Sequence, residues 1–202
     1  MKTTTTVDTP QKTAHPTSSD HYLATVRRAC STPAGRAALQ RGLAGRFRRP
    51  WPMYEHLLAH GTIPAAATAD AQYPYLLIAS LYAIHDAPNP RFDPGGPDAD
   101  DVPVARLWHN LGWSYRAAVT SRRMDSKRAE DDLAHLARLT LSSLYQVLPG
   151  VVGELRAKGA PVEWATLLRD LTQWQSRGEE VRIRWARAFF RQPTAPNGDE
   201  SP

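Results

Sequence analysis

An all-α protein, built as two packed helical bundles of about eight to nine helices, is the fold class this sequence predicts. Three observations predict it. Apolar residues recur at three- and four-residue spacing, as in Trp164, Leu167, Leu168, Leu171 and Trp174, the period of one helix face. No stretch alternates apolar and polar residues between turn formers, the pattern of a half-buried strand. Start and stop signals divide the chain into segments of about 12 to 16 residues with short loops, which favours bundle packing. At 202 residues and 42% hydrophobic, the chain can bury a core without staples.

Residues 1–18 and 193–202, rich in Thr, Pro and Ser, read as disordered tails. Between them, 19–86 reads as an N-terminal helical lobe, 87–101 as a loop and 102–192 as a C-terminal helical bundle. Ser19 and Asp20 can cap a first helix through Cys30. Thr32 caps a second and Pro33 opens it, because a proline at the first helical position gives up only a donor that had no partner. This helix runs to about Leu43. Gly42 and Gly45 loosen the chain and Pro50 stops it. A short helix over roughly 52–60 ends at Gly61. Asp70 begins a helix to about His85 whose apolar residues surround the axis, which makes it the central, buried one.

The loop 87–101, "APNPRFDPGGPDADD", separates the two lobes. A helix over 103–118 follows, and then a long amphipathic stretch with Leu133, Leu136, Thr140, Leu144, Val147, Val151 and Leu155 in phase. Pro149 and Gly150 should break or kink it. Pro161 should open the next helix, with the Trp164–Trp174 stripe facing the core. A last helix over 181–191 places Val181, Trp185, Ala188 and Phe189 on one face and Arg184, Arg187 and Arg191 on another.

Charge is unevenly sorted. The net charge is +5, and 21 of the 25 basic residues are arginine. A GC-rich coding sequence would favour arginine everywhere, so the distribution matters more than the ratio. Between His21 and Tyr54 stand Arg27, Arg28, Arg36, Arg41, Arg46, Arg48 and Arg49 without one acid. The segment "TSRRMDSKR" adds Arg122, Arg123, Lys127 and Arg128 around the single acid Asp125. The last helix has four arginines and no acid, whereas acids gather in the central loop. A charge run is ordinarily a solvated face. Like charges without neutralising acids repel one another, however, so such a surface is costly unless an anion meets it. The eleven residues named from Arg27 to Arg128 are therefore the candidate nucleic-acid contacts, as clustered arginine on a basic domain predicts.

Other chemistry is poorly supported. His56 and His60 have a metal-gripping spacing, but the order "EHLLAH" lacks the catalytic glutamate between them and no third ligand is near. Asp131 and Asp132 are adjacent, so they face different ways and read as solvated helix charges. Cys30 has no nucleophile signature and reads as a half-buried thiol. No phosphate-binding glycine loop, dinucleotide fingerprint or serine elbow occurs. The expectation is no enzyme, cofactor or metal. Apolar runs such as "YLLIASLYAI" are about half a bilayer span, and no signal peptide is visible, so no membrane and a cytoplasmic location are expected. Trp164, Trp174 and Trp185 sit at core phases. Trp51 can stack a base beside Arg48 and Arg49, but packing on the bundle end is the expected use.

At two places the residues resemble a known family. "GRAALQRGL" (35–43) is similar to the R-A-x-L-R-R-G segment of the CasB family, the small subunit of the type I-E CRISPR surveillance complex, Cascade. "GAPVEWATLLRDLTQW" (159–174) followed by "VRIRWARAFF" (181–190) resembles its C-terminal signature. The resemblance implies two helical bundles and no catalysis. It also implies self-pairing within the complex, contacts with other Cascade subunits and guide RNA, and a groove for the displaced DNA strand. Arg36 and Arg41 match arginines of the first motif, while Gln40 stands where the family has another. Of the last helix, Arg182, Arg184 and Arg187 are expected in part to pair with Glu179, Glu180 or Asp170. The alternatives are a free-standing helical DNA-binding regulator, which would need a base-reading recognition helix, and a helical assembly adaptor.

Overall fold

The computed structural model describes residues 18–44, 51–58, 63, 68–85 and 108–190. Among them are eight helices and no strand: α1 Ser18–Cys30, α2 Pro33–Ala44, α3 Trp51–Leu57, α4 Ala69–His85, α5 Leu111–Thr120, α6 Ser126–Arg138, α7 Leu141–Ala157 and α8 Trp164–Phe190. The all-α prediction holds. The expected loop 87–101 and the expected tails, Ser18 apart, lie outside the described residues, as do His60, Arg46, Arg48 and Arg49.

Helix α4 is the axis of the molecule. Leu77, Ile78, Ala79, Leu81 and Ala83 are wholly buried, because α1 and α2 cover it on one side and α7 and α8 on another. The buried Ser80 hydroxyl donates to the main-chain carbonyl of Leu39 at 2.6 Å, which removes the penalty of an unpaired polar group in the core. The start of α2 follows the local signals. Thr32 Oγ1 accepts from Gly35 N at 3.1 Å, and Pro33 is the first helical residue. Both helix groups contribute to one continuous apolar core.

The C-terminal half departs from the sequence reading in four ways. Helix α5 begins at Leu111, since Asn110 Oδ1 accepts from Trp113 N and caps it there. The long amphipathic stretch is two helices. Thr140 lies on the predicted stripe but serves as the N-cap of α7, accepting from Ser143 N at 3.3 Å, and Trp174 Nε1 satisfies the Leu139 carbonyl at 3.2 Å. Helix α7 then runs unbroken through Pro149. An interior proline costs about 3 kcal/mol, but Leu144, Leu148, Val152 and Leu155 are all fully buried and each contributes about 1.5–3 kcal/mol.

The last two expected helices are both present as the two halves of α8, which meet at a kink at Arg177, where φ is −137° and ψ is 34°. It starts at Trp164 and not at Pro161, because Glu163 carboxylate oxygens accept from Ala165 N at 3.2 Å and Thr166 N at 2.9 Å. Asp170, fully buried, clamps the two halves of α8 across the interruption. It accepts from Trp185 Nε1 at 2.7 Å and from Arg184 Nη2 at 2.9 Å.

Candidate nucleic-acid interface

The candidate arginines fall in two patches, since the main helix contacts pack neither α1 nor α2 on α5 or α6. The first patch lies on α1 and α2. Arg27 is half-buried, and Arg28 near the end of α1 is exposed. Arg36 is drawn inward. Its Nη2 donates to the Cys30 carbonyl at the end of α1, 3.2 Å away, where the helix dipole is negative. The same corner explains Cys30. Burial pushes its thiol up to about 12, with the Arg36 guanidinium pulling the other way, so the thiol stays protonated and unreactive. Arg41 is exposed and forms no ion pair among the described residues. Five positions turn an α-helix by about 140°, so Arg36 and Arg41 occupy different faces. Gln40 is also committed to the fold, donating to the Ala83 carbonyl at 2.9 Å.

The second patch is the turn between α5 and α6 with the first turns of α6. Three of its four cations are engaged. Arg123 Nη1 donates to the Lys158 carbonyl and Lys158 Nζ to the Arg123 carbonyl, both at 3.0 Å. Lys127 pairs with Asp131 at 2.8 Å. Arg128 pairs with Glu154 at 2.7 Å and lies 3.7 Å from Asp132. Asp131 and Asp132 are therefore surface charges, as expected, and they neutralise this patch. Arg122 is exposed, without an ion pair among the described residues, and has φ of 57°.

That left-handed turn is a Schellman motif. Arg122 N bonds the Val119 carbonyl at 2.9 Å, and Arg123 N bonds the Ala118 carbonyl at 3.0 Å. Glycine is the usual residue at such a position.

Sequence reasoning correctly assigned Trp164, Trp174 and Trp185 to the core. It misjudged Trp51, which is 72% exposed and packs little of its ring. It overlooked Trp108, His109 and Trp113. Trp108 is 58% exposed, and the His109 and Trp113 rings stack with centroids 3.9 Å apart and a 16° interplanar angle. An aromatic pair at i and i+4 in an acid-free run was the available signal. Among the described residues no group of three metal-ligating side chains occurs. No described helix is long and apolar enough to cross a membrane.

Comparison with known proteins agrees with this architecture. No curated protein matches the sequence. Solved structures do. A chain of a "CRISPR RNA-guided surveillance complex" is similar at 25% identity and a TM-score of 0.65, covering 86% of this chain and 93% of its own. CasB from M. ruber is similar at 23% identity and a TM-score of 0.67, covering 88% and 94%. A Cse2-family CRISPR-associated protein from Thermus thermophilus is similar at 24% identity and a TM-score of 0.58, covering 85% and 97%. The family model for CRISPR-associated protein Cse2 matches residues 35–190, from the arginine motif on α2 to the end of α8. Spanning most of the chain and both quoted motifs, that match shows that this protein belongs to the Cse2 (CasB) family of CRISPR-associated proteins.

Proposed function

We propose that this protein is a non-catalytic subunit of a type I-E CRISPR RNA-guided surveillance complex. In this reading it holds the displaced DNA strand and contacts the guide-RNA backbone through arginine faces. The carrying observation is the acid-free α1–α2 surface, on which Arg28 and Arg41 stay exposed without a neutralising carboxylate among the described residues. Guanidinium groups without acids suit a sugar–phosphate backbone. The role needs no base readout, since base pairing with the guide reads sequence in such systems. The similarity to a surveillance-complex chain supports placement among other Cascade subunits, and self-pairing within the complex is part of the same proposal.

Arg28 and Arg41 are the primary contacts in this reading. Arg122 is a secondary one, and Arg36, Arg123, Lys127 and Arg128 serve the fold at least in part. The test is reconstitution of the guide-RNA complex with and without the protein, with strand opening on target DNA mapped by permanganate. Addition should extend or stabilise the open strand, and the Arg28→Ala/Arg41→Ala variant should not. Assembly without any change in the open strand would assign the protein an adaptor role.

A further inference from the structure

The outer face of α5 has the makings of a second nucleic-acid site with different chemistry. Its inner face, Leu111, Gly112, Ser114, Tyr115 and Ala118, is buried. Trp108, His109 and Trp113 form an aromatic cluster at its N-terminal end, with Trp108 edge-on to His109 at 5.7 Å. At the other end stands Arg122, an exposed cation in a left-handed conformation that non-glycine residues adopt at a cost. The 10 residues of α5 set these ends about 15 Å apart. From Trp108 to Met124 the chain contains three arginines and no acid. Arg116, between the two ends, donates to the Phe189 carbonyl at 3.2 Å and ties the face to the end of α8.

We infer that this face is a stacking platform for single-stranded nucleic acid: an unpaired base lies on Trp108, and Arg122 meets a phosphate of the same strand. An aromatic ring accepts any base by its π-face, while cations without acids attract the backbone and repel basic protein surfaces. An exposed indole at one end of an acid-free segment, with the exposed cation Arg122 at the other, thus fits a strand with unstacked bases better than duplex DNA, whose bases are already stacked. The inference rests on the nucleic-acid reading above and shares with it only the secondary contact Arg122; its base-stacking residue, Trp108, is not part of that reading, so the two fail separately.

The test uses the full chain and two fluorescent probes of equal length: oligothymidylate and its fully abasic counterpart. Trp108→Ala should lower affinity for oligothymidylate roughly tenfold and leave the abasic probe unchanged, because only the first offers bases to stack. Trp108→Phe should recover most of the loss. Arg122→Gly should weaken both probes alike. With 5-iodouracil in the strand, the photo-cross-link should map to the peptide containing Trp108.

Equal effects of Trp108→Ala on both probes, or none on either, would overturn the platform. So would a variant that binds DNA normally but no longer enters the reconstituted complex, which would make this face a protein-docking surface. Loss of affinity in Arg28→Ala/Arg41→Ala alone would leave the α1–α2 reading standing and remove this one. If the unmodified chain binds neither probe at low salt, the platform falls, and the α1–α2 reading is decided by strand opening in the reconstituted complex.

Discussion

Arg36 on α2 donates to the carbonyl of Cys30, the last residue of α1, at 3.2 Å. The arginine that looks most like a free phosphate ligand in the sequence is thus a tie between two helices. Replacing it with alanine removes a charge-assisted bond to a helix end, a cost of about 1–2 kcal/mol. Arg36→Ala should lower the thermal midpoint by a few degrees. Arg41→Ala, on an exposed face, should leave the midpoint unchanged and lower nucleic-acid affinity with a shallower salt dependence. Thermal melts and salt titrations of both variants separate the two roles.

Asp170 is the most demanding polar residue in the core. Its carboxylate is fully buried and holds Trp185 and Arg184 across the interruption of α8. Asp170→Ala takes the carboxylate from the half-buried Arg184 and leaves the buried Trp185 indole donor without its acceptor, which should cost about 3 kcal/mol. Asp170→Asn keeps an acceptor and should cost less. Chemical denaturation of the pair checks the order.

Two glycines make opposite predictions. A Cβ on Gly112 would overlap the Trp185 main-chain carbonyl, since α5 packs there directly against α8. Gly112→Ala should destabilise by about 3 kcal/mol, because backbone cannot yield cheaply. A Cβ on Gly150, inside α7, meets nothing within 4 Å. Gly150→Ala should stabilise by about 0.5–1 kcal/mol by removing a helix-interior glycine. Urea unfolding midpoints decide both.

His85, at the end of α4, has its pKa lowered from 6.5, first by burial and then by the positive charge of Arg156. The folded state therefore prefers the neutral ring. Its contribution to stability is complete above pH 6.5 and is lost as pH falls through the depressed folded value. His85→Gln, neutral at every pH, should flatten this acid-side loss. Melting curves across the mildly acidic range would show no difference between the two proteins if the ring is not involved.

Arg122→Gly should raise the thermal midpoint even while it weakens nucleic-acid binding. A left-handed non-glycine residue costs about 1–2 kcal/mol, and glycine closes the same Schellman turn without it. A midpoint that falls instead would mean the Arg122 side chain makes a stabilising contact.

The sequence by itself determined whatever depends on neighbours in the chain. The helical period, the Thr32–Pro33 start of α2, the core phases of Trp164, Trp174 and Trp185, and the buried centre at α4 were all legible, because caps, proline geometry and periodicity act over three to seven residues. The quoted motifs on α2 and α8 pointed to the family for the same reason.

Only the tertiary structure decided which charges remain free. Arg128 meets Glu154 26 positions away, Arg123 meets the Lys158 carbonyl 35 positions away, and Arg36 turns inward to a neighbouring helix. It also decided that α7 passes through Pro149 and that Trp51 and Trp108 stay exposed. The physical reason is common to all of these. Charge pairing, burial and the outcome of a local helix penalty depend on what another helix brings within a few ångströms, and sequence spacing does not carry that distance.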